Sequence, residues 1–329
     1  MELPGLGELE ASLRVVSIPM RLRFRGITHR EVALIEGPAG WGEFGPFLDY
    51  GPVESSRWLA SAIESAYAGW PAPVRDSVPV NATVPAVPAS DVAAVLQRFP
   101  GCTTAKVKVA EAGQSLADDA DRVSAVRDAM GVNARIRVDA NGGWSVDQAR
   151  DALGRLTAYG IEYAEQPCAA VEDLARLRVA LARNGIAVPI AADESIRKAE
   201  DPLRVRDLGA ADLIVVKVAP LGGVRAALRI VEECGLPAVV SSALDTSVGI
   251  AAGVALAAAL PQLDHACGLG TVGLFEGDVT TDPIRPIEGA LAVRRATPDP
   301  DLLNRWAAPA DRHLWWLGRL RSAHAEVAS

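Results

Sequence analysis

The chain has little cysteine and pairs none of it. Cys102, Cys168, Cys234 and Cys267 lie far apart with no CxxC among them, which excludes the common zinc and redox motifs. They read as reduced, small apolar residues of an intracellular protein. A basic excess is also missing. The 33 Lys and Arg against 41 Asp and Glu leave a net charge of −8, and no extended basic patch is present for a nucleic-acid partner. No apolar run is long enough to span a bilayer, and the longest, residues 249–260, suits a buried Ala-rich helix. The acidic start, MELPGLGELE, lacks the basic flank and apolar core of a signal peptide. An early GxGxxG is absent, which weakens a dinucleotide-binding reading. The expectation is a globular, cytoplasmic protein with neither membrane nor nucleic acid as partner. Nothing in the sequence fixes its oligomeric state.

What is present is a rhythm. From about residue 78, short Val/Ile/Ala-rich runs alternate with helical patterns: VPVNATVPA, TAKVKVA, RIRVDAN, EYAEQP, PIAADES, DLIVVKVAP, AVVSSAL and HACGLGT. Near-continuous apolar runs suit parallel strands covered on both faces. The helices between them have legible ends. Ser145 is placed to cap VDQARDALGRL, and Gly160, Gly185 and Gly235 follow helical stretches. One strand and one helix per repeat imply right-handed βαβ units, and eight strands favour a closed barrel. The predicted fold is α/β: a modified (β/α)7β TIM-type barrel over 78–290. Residues 1–77 form an α+β capping domain of short antiparallel strands and a helix, and 291–329 return to that cap. The last segment is amphipathic, with Leu314, Trp315, Leu317 and Leu320 as its expected buried side.

Polar residues close the apolar runs in phase with this repeat. Lys106 and Lys108 alternate with valines, so both ammonium groups point to one face. Asp139, Glu165, Asp193 and Lys217 follow at the ends of successive strands, where barrel active sites lie. Each has a bland reading alone: a turn former, a solvated strand end, a helix cap, a structural ion pair. Together they imply convergence. Three carboxylates in one place repel unless a cation holds them, and oxygen donors without His or Cys favour a hard ion such as Mg2+, with Mn2+ as a substitute. Arg137, two residues before Asp139, should share its face and support a ligand carboxylate. Arg21, Arg23 and Arg25 could meet an anionic substrate, but a solvated basic strand is the favoured reading.

The motifs KVK (106–108), DANGGW (139–144), EQP (165–167), ADES (192–195) and VVKVAPLGG (215–223), in this order and spacing, resemble the enolase superfamily on its muconate lactonizing enzyme-like branch. The resemblance covers nearly the whole chain. It implies α-proton abstraction from an anionic carboxylate substrate and a metal-stabilised enediolate. By that resemblance Asp139, Glu165 and Asp193 match the metal ligands, with Asn141 beside them. Lys108 matches the base, Lys217 the lysine opposite, and Ser241 and Gly268 the positions near the substrate's tail. Lys106 is then a third cation in the site. A neutral base at working pH needs Lys108 discharged, and Lys106 on the same face would act in that direction. The implied reaction is a lyase dehydration in menaquinone biosynthesis that turns a hydroxycyclohexadiene carboxylate into an aromatic acid. Alternatives on the same scaffold are N-acylamino acid racemisation or dipeptide epimerisation. An inactive barrel kept for binding or scaffolding is a third.

Overall fold

The computed structural model describes residues 3–24, 26–197 and 202–328. A short helix, Leu6–Ser12, precedes a three-stranded antiparallel sheet of β1 (Arg14–Phe24), β2 (Ile27–Gly37) and β3 (Gly40–Phe44). The helix Pro52–Ile63 packs on that sheet and buries Trp58, Leu59, Ala62 and Ile63. This is the α+β unit expected at the start of the chain.

The parallel sheet follows. After β4 (Ser77–Pro79) come β5 (Ala82–Val84), β6 (Thr104–Lys108), β7 (Arg135–Asp139), β8 (Ile161–Glu165), β9 (Ile190–Ala192), β10 (Leu213–Val216) and β11 (Ala238–Val240). Strands β5 to β11 form one sheet in strict sequence order, every pair parallel. Their apolar side chains are almost all buried, as doubly covered strands require. The last member, β12 (Ala290–Ala292), pairs antiparallel with β4.

The eighth run, HACGLGT, is not a regular strand. It joins the sheet's two free edges through single parallel bridges, Val80 to Cys267 and Ser241 to Gly268. Cys267 N donates to Pro79 O at 2.7 Å, and Gly268 N to Val240 O at 2.8 Å. Asn81 N and Ser242 N donate back to Cys267 O and Gly268 O, so two bridges on adjacent residues close the curl. The 3-10 turn Thr271–Leu274 begins three residues later and leaves no length for a ladder.

Helix ends follow the side chains. Ser115 and Ser145 form reciprocal capping boxes with Asp118 and Gln148 at the starts of Leu116–Met130 and Val146–Leu156. Gly160 and Gly235 take left-handed conformations after their helices. The Ala-rich run is the helix Ser247–Ala259, buried on nearly every side. The final helix, Ala310–Ala328, returns to the cap and packs on Pro52–Ile63. Of the expected buried face, Leu320 is fully buried and Leu317 half-buried, but the other two positions face outward. Trp316 is fully buried, edge-on to Phe44 at 5.8 Å, whereas Leu314 and Trp315 are 67% and 38% exposed. The polar groups decide this: Glu31 accepts from Trp316 Nε1 at 3.1 Å, while Arg312 and Arg319 cover Trp315 from outside.

Candidate active site

Register puts the strand-end residues side by side. Lys108 is paired with Asp139 across β6 and β7, and Asp139 with Glu165 across β7 and β8. Asp193, Lys217 and Ser241 each stand one residue beyond the ends of β9, β10 and β11. All six are at the C-terminal mouth of the curled sheet. Asp139, Glu165 and Asp193 are essentially inaccessible, and Lys106 and Lys217 are 7% and 8% exposed.

The charges interlock. Lys106 Nζ donates to Asp139 Oδ2 at 3.1 Å and to Glu165 Oε1 at 2.8 Å. Lys108 Nζ donates to the same Asp139 Oδ2 at 2.5 Å and to Asn141 Oδ1 at 2.7 Å. Lys217 Nζ meets Asp193 Oδ2 at 2.5 Å. Burial works against an ammonium at Lys106, but the Glu165 and Asp139 charges outweigh it and hold the group charged. Burial likewise opposes a carboxylate at Asp139, and Lys108 and Lys106 overcome it, pulling that carboxyl far below its ordinary range. Glu165 goes the other way: burial and the neighbouring Asp139 charge push it up to about 7 despite Lys106. A carboxylate stands between the two lysines: both Nζ atoms donate to Asp139 Oδ2.

The three strand-end carboxylates offer oxygen donors only, with no His or Cys among them. That donor chemistry fits a hard divalent cation. As the side chains stand, however, the described residues contain no group of three His, Cys, Asp or Glu arranged to hold an ion. The lysines occupy carboxylate oxygens that such an ion would need.

Around these charges lies a narrow pocket. Phe47 and Trp58 line it from the N-terminal unit, Thr83, Lys106, Lys108, Asn141 and Lys217 from the strand ends, and residues 241–244, Gly268 and Thr271 from the far side. Ser241 and Gly268 are in contact, and a Cβ on Gly268 would lie 2.6 Å from Ser241 Oγ. Asn141 links Lys108 to Glu194, accepting from Lys108 Nζ and donating to Glu194 Oε1 at 3.2 Å. A wider apolar groove of about 840 Å³ is lined by residues 185–189, Leu208, Gly209 and Asp212. It lies where the chain enters β9 and β10, the opposite end from the charged residues.

Arg137 corrects the expectation. It shares the face of Asp139 but sits one layer deeper, where its partner is Glu162: Nε to Oε2 is 2.5 Å, Nη1 donates to Ala266 O at 2.6 Å, and the guanidinium stacks 4.7 Å from the Tyr163 ring. It has no hydrogen bond to the three strand-end carboxylates: its guanidinium turns to Glu162 and Ala266 O, and Lys106, its register partner on β6, is the side chain that reaches Asp139 and Glu165. Arg21 donates to Phe275 O at 2.9 Å; Arg25 and the Arg23 side chain lie outside the described residues.

Several lining residues have no place in the sequence reading. Thr83 is a polar residue in the middle of an apolar strand, paired with Lys106, and that position was a usable signal. Gln166 is another. Its Oε1 accepts from Asp193 N at 2.9 Å and Ser195 N at 3.2 Å, and its Nε2 donates to Ser195 Oγ at 2.8 Å, so it ties the turn bearing Asp193 to β8. Phe47 and Trp58 carry no pattern that separates a pocket wall from a core residue.

The matching family models are the enolase C-terminal domain-like family over residues 90–298 and the enolase N-terminal domain-like family over 15–66. The chain belongs to the enolase superfamily. It is 60% identical to o-succinylbenzoate synthase of Mycolicibacterium smegmatis over 325 residues, covering 98% of each chain. It is also 60% identical to the enzyme of that name from Mycobacterium tuberculosis over 324 residues, 98% of this chain and 97% of that one. Among solved structures, muconate lactonizing enzyme from Pseudomonas putida shares the fold at a TM-score of 0.74 and 23% identity, over 90% of this chain and 98% of that one.

Proposed function

We propose that this chain is a lyase that dehydrates 2-succinyl-6-hydroxy-2,4-cyclohexadiene-1-carboxylate to o-succinylbenzoate. The observation that carries the reading is the register of Lys108, Asp139 and Glu165 at one barrel mouth, with Lys217 and Asp193 completing a buried site. The near-full-length relatives of that name support the same reading. The racemase, epimerase and scaffold alternatives have no such support.

The substrate is an anion, and three lysines in an otherwise acidic chain give it a place to bind. Lys108 takes the proton α to the ring carboxylate, so the C–H bond breaks and its pair enters the ring. The C–O bond to the neighbouring hydroxyl then breaks, and Lys108 returns the proton as water leaves. Aromatisation makes that second step favourable. Lys217 keeps its proton and, from the far side, offsets the developing negative charge. Lys106, held charged by Glu165 and Asp139, adds to the same field. A Mg2+ ion, with Mn2+ as substitute, would be held by Asp139, Glu165 and Asp193 and would supply positive charge to the substrate carboxylate. Asn141 steadies Lys108, and Ser241 with Gly268 leaves room for the succinyl chain.

The same reading divides the chain into a cap at 1–77, a barrel at 78–290 and a return at 291–329, and places it in menaquinone synthesis in the cytoplasm. No helix among the described residues is long and apolar enough to cross a membrane. The test is to offer purified protein the cyclohexadiene carboxylate and, separately, N-acylamino acids in D2O. Aromatic product without efficient α-deuterium exchange supports the lyase. Fast exchange with no aromatic product would replace it with the racemase.

A further inference from the structure

The pocket's two walls come from different parts of the chain, and one buried side chain holds both. Phe47 follows β3, and Ala243 and Leu244 follow β11. Arg30 on β2 is 2% exposed. Its Nε donates to Leu244 O at 2.9 Å and its Nη2 to Ala243 O at 3.3 Å. The same Nη2 donates to Gly45 O, and the guanidinium carbon lies 4.7 Å from the Phe47 ring centre. A Cβ at Gly45 would come within 3.0 Å of that Nη2, so the cap segment approaches as a glycine alone can.

The segment being held is strained. Leu244 has a φ of 61°, in the left-handed region that a bulky residue rarely adopts. A second cap residue grips its other end. Glu43 on β3 accepts from Thr246 N at 3.0 Å, Thr246 Oγ1 at 2.5 Å and Gly249 N at 3.1 Å, at the start of the helix Ser247–Ala259. Asp245 accepts from Ala243 N at 2.9 Å. Burial and the Asp245 charge push Glu43 up to about 8, and burial raises Asp245 as well; Arg30 is a positive charge that opposes both shifts. Neither Arg30 nor Glu43 lines the pocket.

We propose that Arg30 and Glu43 are positioning residues for the reaction: they hold residues 241–246 in their strained path against Phe47 and so set the width of the pocket end that receives the substrate's succinyl chain. The inference takes the pocket of the proposed function as the substrate site. Arginine is needed because its planar fork reaches three carbonyls and presents a face to Phe47, whereas lysine offers a single point charge.

The test compares Arg30→Lys, Arg30→Met and Glu43→Gln with wild type by steady-state kinetics and by amide exchange. For Arg30→Lys the expected result is a rise in KM of about tenfold or more with kcat within about threefold. Amide exchange over 241–246 should quicken by about tenfold or more while β6 and β7 keep their protection. Unchanged KM with unchanged exchange over 241–246 would overturn the inference, as would a loss confined to kcat. If Arg30→Met does not fold, Glu43→Gln, close in shape and uncharged, reads the same segment. A wild type that yields no aromatic product would defeat the functional reading alone, because the exchange measurement still decides whether the clamp exists.

Discussion

Lys106 and Lys108 share one face of β6 and both reach Asp139 Oδ2, yet Lys106 is buried, Lys108 is half-buried, and their other partners differ. Lys106 also holds Glu165, whereas Lys108 turns to Asn141 at the mouth. That difference places Lys106 between two carboxylates and Lys108 at the pocket, beside Asn141. Lys108→Ala should therefore cut turnover by about 10²–10⁴-fold or more with the melting temperature and metal binding retained; substantial activity would place the base elsewhere. Lys217→Ala should be severely impaired in kcat, and turnover equal to wild type would remove it from the reaction. At this scale the sequence was informative about which side chains meet and less so about how. Alternation fixes that two lysines share a face. Whether a like charge or a carboxylate lies nearest depends on the side-chain packing of β7 and β8, which periodicity does not encode. Arg137 failed for the same reason: its face was legible, its layer was not.

Among elements, strand order and helix ends were the most legible because each follows from local chemistry. Ser145 caps its helix reciprocally with Gln148, and Ser145→Ala should cost about 1 kcal/mol, read as a lower unfolding midpoint in urea. The final helix was placed correctly on the cap, but its inward tryptophan was not. Adjacent residues differ by about 100° around a helix, so one neighbour with a hydrogen-bond partner can turn the face. Trp316→Ala should cost about 3–5 kcal/mol, whereas Trp315→Ala should cost less in the same melts; the reverse order would contradict the packing. The closing segment at Cys267 and Gly268 read as a strand from composition. Its tertiary role, bridging two edges with adjacent residues, is a long-range property that no window of sequence carries.

At the scale of the molecule, the two ends of the barrel are built from opposite uses of buried charge. At the mouth, carboxylates and ammonium groups surround a pocket. Deeper in the barrel, Arg137, Arg135 and His265 gather on Glu162, with Glu162 Oε1 3.1 Å from His265 Nδ1. Burial alone would raise the Glu162 carboxyl, but the His265 hydrogen bond and Arg137 outweigh it and hold it at about 2. A carboxyl depressed on folding stabilises the folded chain above its unfolded pKa and loses that contribution as pH falls toward the folded value. From an ordinary value of 4.5 the contribution is up to about 3 kcal/mol at neutral pH. The stability gap between wild type and Glu162→Gln should then be full near pH 6 and shrink as pH falls from about 4.5 toward 2; a gap constant over that range would refute the linkage. The whole-chain plan of cap, barrel and return was readable because strand and helix signals repeat along it. The pocket walls were not, since Phe47 and Leu244 meet only after the cap docks.

The most direct measurement is formation of the aromatic product by purified protein during a Mg2+ titration after chelation, run beside Asp193→Asn. The account predicts no turnover in chelator, saturable recovery with Mg2+, and a requirement for about tenfold or more Mg2+ in the variant. Full turnover in chelator, or an unchanged Mg2+ requirement in Asp193→Asn, would contradict it.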